Sequence, residues 1–64
     1  MTLAEWLDKY RKTDAWFGHM IRKDRSHISR LRRGLVRPSL ELMIEIRDFT
    51  DGEVNLESWG KHNE

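Results

Sequence analysis

The stretch from Asp24 to Gly34 constrains this chain most, because it reads as a helix with its own start, stop and divided faces that the remaining residues must hold in place. Asp24 is suited to cap the first turn through its carboxylate, and Gly34 to take the left-handed conformation that ends a helix. These limits span about three turns. At about 100° per residue, Ile28 and Leu31 share an inward face, while Ser26, Ser29, Arg30 and Arg33 cluster on the opposite one with Arg25 at its edge. An outward face of arginines and serines, with no acidic residue after Asp24, can donate to guanine O6 and N7 and to phosphate oxygens. Such a helix is expected to read DNA. The alternative is a solvated basic face on an ordinary small helical domain.

With 64 residues the chain is near the lower size at which one core stabilises a fold unaided, so a single domain is expected over 1–60, with a disordered polar tail at 61–64. It contains no cysteine. Disulfides and Cys-ligated metal centres are therefore excluded, and a reducing cytoplasm is the expected setting. Neither a long apolar run nor a leader pattern is present, so membrane spanning and secretion are not expected. Net charge is only +1, yet residues 22–37 carry seven basic side chains against Asp24 alone, and residues 38–64 carry two basic against seven acidic. A basic middle and an acidic tail make a one-sided footprint for a polyanion.

Thr2 and Glu5 form a capping-box pattern for a helix over about 3–11, in which Leu3, Trp6, Leu7 and Tyr10 recur at helical spacing and are expected in the core. Thr13 opens a second helix with Phe17, Gly18 and Ile21 on one face, ending near Arg22. Glycine costs about 1 kcal/mol against alanine inside a helix, so Gly18 suggests another helix passing close above it. Trp16 and Met20 form a second apolar strip, expected to meet the first helix. After Pro38, Ser39 caps a fourth helix over about 40–49 with Leu40, Met43, Ile44, Ile46 and Phe49 as its apolar positions. Thr50-Asp51-Gly52 reads as a turn, Val54 as one apolar residue in extended chain, and Asn55 as the cap of a last short helix bearing Leu56 and Trp59. The expected fold is all-α, a compact bundle of about five short helices.

Helices two and three, joined by Arg22-Lys23 and followed by Gly34, Arg37-Pro38-Ser39 and an apolar helix, resemble the helix-turn-helix of the phage Cro and CI repressors and their small XRE-like relatives. Gly18, Ile21, Ile28 and Leu31 carry the spacing. The segment from Ile44-Glu45-Ile46 through Thr50-Asp51-Gly52-Glu53-Val54 to Trp59 is further similar to the C-terminal part of Cro and YdaS-type proteins, so the resemblance covers roughly residues 3–59. It implies a lambda-repressor-like fold, base contacts at Arg25, Ser26 and Arg30, and phosphate contacts at Thr13, Arg33 and Arg37. His27 and Ser29 flank or share the outward face and join the base-contact set; Arg22 and Lys23 add charge beside it and join the phosphate set. The family usually has glycine at the turn and a small apolar residue after it. Arg22 must therefore either take a positive φ or change the turn.

His19, His27 and His62 lack zinc-like spacing, and no metal or cofactor is expected. There is no G-x-S-x-G, glycine-rich phosphate loop or H-E-x-x-H, and no enzymatic activity is expected. The sequence is thus expected to encode a double-stranded DNA-binding regulator of Cro type acting as a homodimer. The rival is an antitoxin-like module on the same fold, whose main work is binding another protein; exposed Trp16, Met20 or Trp59 would favour it.

Overall fold

Among the described residues every helix starts on a side-chain cap. The computed structural model describes residues 1–60, among which there are four α-helices, a 3₁₀ turn and no strand. The tail expected to be disordered at 61–64, with His62, lies outside the described residues. Helix α1 spans Leu3–Tyr10 and opens on the expected capping box, with Thr2 Oγ1 accepting from the Glu5 amide at 3.1 Å and Glu5 Oε1 from the Thr2 amide at 2.9 Å. Helix α2 spans Asp14–Ile21, capped by Thr13, whose Oγ1 accepts from the Trp16 amide at 3.0 Å. Helix α3 spans Arg25–Arg32, capped by Asp24, and α4 spans Leu40–Phe49, capped by Ser39. The last element, Leu56–Trp59, is a 3₁₀ turn capped by Asn55. The regular part of α3 is eight residues, shorter than the eleven-residue stretch from cap to terminating glycine.

All four helices close alike. A left-handed residue follows each, at Arg11 (φ 57°), Arg22 (60°), Gly34 (76°) and Asp51 (57°). The next amide then donates back to a carbonyl in the last turn: Lys12 to Leu7 at 2.9 Å, Lys23 to Gly18 at 2.7 Å, Leu35 to Arg30 at 2.9 Å and Gly52 to Arg47 at 2.8 Å. This Schellman closure satisfies carbonyls that would otherwise lack partners. Gly34 takes the role expected of it, and Arg22 keeps the turn by adopting positive φ, at a cost of about 1–2 kcal/mol for a residue with a Cβ.

The core joins Leu3, Trp6 and Leu7 of α1, Phe17 and Ile21 of α2, Ile28 and Leu31 of α3, Leu42 and Ile46 of α4, and Val54. Each large aliphatic side chain removed from water contributes about 1.5–3 kcal/mol, so α3 with its two anchors depends on the surrounding helices. Val54, seemingly isolated in the sequence, is fully buried; its amide donates to Thr50 Oγ1 at 3.1 Å, and that hydroxyl donates to the Ile46 carbonyl at 2.8 Å.

Several apolar assignments need correction. Tyr10 is 39% exposed rather than core. As the last residue of α1 it lies against Trp6, ring centroids 4.8 Å apart, with its hydroxyl donating to Glu53 at 2.6 Å. In α4 the buried set is Leu42, Met43 and Ile46, while Leu40 is 62% exposed, because about 100° per residue turns Leu40 roughly 120° from Ile46. The Trp16–Met20 strip divides: Trp16 stacks on Trp6 with rings 6.5 Å apart, whereas Met20 is exposed. Among the described residues no helix is long and apolar enough to cross a membrane.

Candidate nucleic-acid interface

The site is built on the packing of α2 against α3, the most extensive contact between two elements of the fold. A turn of three residues, 22–24, connects them, and Gly18 sits where they come closest. A Cβ on Gly18 would lie 2.5 Å from the Lys23 carbonyl oxygen, 3.3 Å from Ile28 Cγ1 and 3.5 Å from Arg25 Cα. The close pass expected from this glycine is thus made by the turn and the first residues of α3.

A second tie fixes the other end of α3. Arg32 Nε donates to Asp14 Oδ1 at 2.9 Å and its Nη2 to Asp14 Oδ2 at 3.0 Å, a bidentate pair between the last turn of α3 and the first of α2. The hydrogen bonds and charge of Asp14 raise the Arg32 pKa above its ordinary value. Ile28 and Leu31 on the inner face, the Gly18 contact and this pair together hold α3 with its outer face towards solvent.

Between that outer face and the start of α2 lies an open groove, lined by Arg25, Ser26, Ser29 and Arg30 of α3, its C-terminal cap Arg33, the α2 cap Thr13, and Asp14 and Ala15 of α2. Six of the ten residues singled out by sequence therefore share one concave surface. Arg25, Arg30 and Arg33 are exposed and, among the described residues, make no ion pair. Asp14, which sequence reasoning did not assign to the site, lines the groove with its carboxylate already engaged by Arg32. No local pattern links residues 18 apart, so only composition, an acidic residue opening a helix, hinted at it.

The other four lie around this surface rather than in it. Arg22 and Lys23 are exposed on the α2–α3 turn. His27 is half-buried on the flank of α3 and does not line the groove. Arg37 lines a separate groove with Pro38 and Trp59, which Arg33 also borders. Trp59 itself is half-buried and packs against the core.

Asp24 marks the head of α3. It accepts from the Ser26 amide at 3.0 Å and from the Ser26 hydroxyl, and the hydroxyl bond, then the amide, then the nearby Arg25 and Arg30 charges hold its carboxyl below the usual range. The site thus presents three unpaired guanidinium groups, whose five donors each suit guanine O6/N7 or phosphate, framed by hydroxyls at Thr13, Ser26 and Ser29. No protein-family model, curated protein or solved structure matches this chain.

Proposed function

We propose that this chain is a helix-turn-helix regulator that binds double-stranded DNA, with α3 in the major groove and the opening of α2 against the phosphate backbone. The observation that carries the reading is the groove between α2 and α3. It gathers Arg25, Arg30 and Arg33 without ion-pair partners beside Thr13, Ser26 and Ser29, while Asp14, the acidic residue that lines it, is engaged by Arg32, and Asp24 at the head of α3 is engaged by Ser26. Base edges fall to Arg25, Ser26, Ser29 and Arg30, with His27 at the flank. Phosphates fall to Thr13, Arg33, Arg22, Lys23 and, from its own groove, Arg37.

A helix of eight residues reads only a few base pairs, so the active species is a homodimer on a two-fold site with recognition helices about 34 Å apart. A protomer 31 Å in its longest dimension is of the size that spacing requires. The contact lies on α4 and beyond, where Leu40 is exposed, rather than on Trp59, which packs internally. Repression by operator occupancy, in the manner of a small Cro-type phage regulator in the cytoplasm, is the role such a dimer supports. The rival module that binds another protein draws on exposed Met20, but Trp16 and Trp59 pack against the core, which weakens it.

The test is binding to random duplex DNA over a range of salt. Neutralising Z phosphates gives a log-log slope of about −0.9Z, so a steep fall in affinity supports the reading and salt-independent binding, or none, overturns it.

A further inference from the structure

Of the three hydroxyls that border the groove, Thr13 and Ser26 make hydrogen bonds that leave them with opposite capacities. Thr13 Oγ1 accepts from the Trp16 amide at 3.0 Å, which leaves its proton available to an outside acceptor. Ser26 differs. Its hydroxyl is bonded to Asp24 Oδ2, and an ionised carboxylate only accepts, so the Ser26 proton must point at Asp24. What Ser26 offers the groove is oxygen lone pairs alone. Phosphate oxygens are acceptors, so Thr13 suits them and Ser26 does not. In the major groove the donors are the amino groups of adenine N6 and cytosine N4, and each base pair carries its amino group on one strand only.

We infer that Ser26 is an amino-group reader: held as an acceptor by Asp24, it requires adenine or cytosine, not guanine or thymine, on the strand it faces. This rests on the DNA reading above and adds a rule that reading does not contain, the discrimination of amino from keto bases at one position per half-site. The neighbouring arginines impose the complementary demand, since guanidinium groups only donate and seek keto or N7 acceptors such as those of guanine. Asp24 is the positioning residue; it touches no base and acts through the Ser26 proton.

The experiment is selection of binding sites from a randomised duplex pool with the full chain, with Ser26→Ala and with Asp24→Gly. Glycine remains an acceptable helix cap, and circular dichroism checks that both variants are folded. The wild-type sites are expected to hold one position per half-site restricted to A or C on a single strand. Ser26→Ala should relax that position alone, with about threefold to tenfold loss of preference, the scale of one neutral hydrogen bond. Asp24→Gly frees the Ser26 proton and should admit G or T at the same position, the rest of the site unchanged. Enriched sites with no such position, or a restriction that survives Ser26→Ala or Asp24→Gly, overturn the inference while leaving DNA binding intact. A pool from which the wild type enriches no sequence overturns the parent reading, and the inference with it.

Discussion

Gly18→Ala probes the geometry on which the α2–α3 unit depends. In an ordinary helix interior this change stabilises by about 1 kcal/mol, because alanine is the better helix former. Here the added Cβ would sit 2.5 Å from the Lys23 carbonyl oxygen, which is backbone and cannot swing aside as a side chain would. Ordinary contact requires a retreat of about 0.9 Å, and Ile28 Cγ1 at 3.3 Å resists a simple shift of α3 in the other direction. Overpacking of this kind costs about 1–3 kcal/mol, and a backbone clash belongs at the upper end, so the net loss is about 2 kcal/mol. For a domain of this size each kcal/mol moves the melting temperature by about 4–8 °C, so a fall of roughly 8–16 °C is expected by circular dichroism. Gly34→Ala is the control. It has φ +76° and nothing within 4 Å of an added Cβ, so it should lose only the left-handed strain, about 1–2 kcal/mol. A Gly18→Ala protein that melts higher than wild type would refute the close approach. If the variant stays folded, the displaced Lys23 peptide should also tilt the Asp24 cap and weaken DNA binding by more than Gly34→Ala does.

Arg30→Ala should cost about 1–3 kcal/mol on a selected site and relax one base preference while affecting random DNA less; Arg37→Ala, from its separate groove, should weaken both alike and flatten the salt slope by about one unit per protomer. Equal losses for Arg30→Ala on both DNAs would reduce it to a phosphate contact. Glu53 accepts from the Tyr10 hydroxyl at 2.6 Å and from Lys9 at 3.4 Å, bonds that hold its pKa below the ordinary 4.5, the Tyr10 bond being the larger cause. A depressed carboxyl stabilises the fold above its unfolded pKa and loses that contribution as pH falls through the folded value. Wild type should therefore melt above Glu53→Gln at neutral pH, and the gap should close below 4.5; a gap independent of pH would mean that the carboxylate charge is irrelevant.

The helix starts were legible because Thr2, Thr13, Asp24, Ser39 and Asn55 cap through bonds that reach only two or three residues ahead. The inward pair Ile28 and Leu31 followed from periodicity, and the close pass at Gly18 from the absence of a side chain. Arg11 as a left-handed terminator was not legible, since arginine does not favour that conformation and the surrounding fold imposes it, whereas Asp51 tolerates it and falls in the Thr50-Asp51-Gly52 turn read from sequence. Tyr10 misled because an aromatic residue on an apolar stripe at a helix end can rest its ring on the core and turn its hydroxyl outward. The groove residues of α3 were read from one helix alone, but Asp14 required the end of α3 to fold back on the start of α2, between residues 18 apart, and the burial of Val54 required the assembled core.

Whether the groove between α2 and α3 receives duplex DNA is decided by following backbone amide resonances of the labelled protein as duplex DNA is added. Perturbations are expected to concentrate at Thr13 to Ala15 and Arg25 to Arg33, with a weaker set around Arg37. Perturbations centred instead on Tyr10, Met20 and Phe49, or none on α3, would contradict binding in that groove.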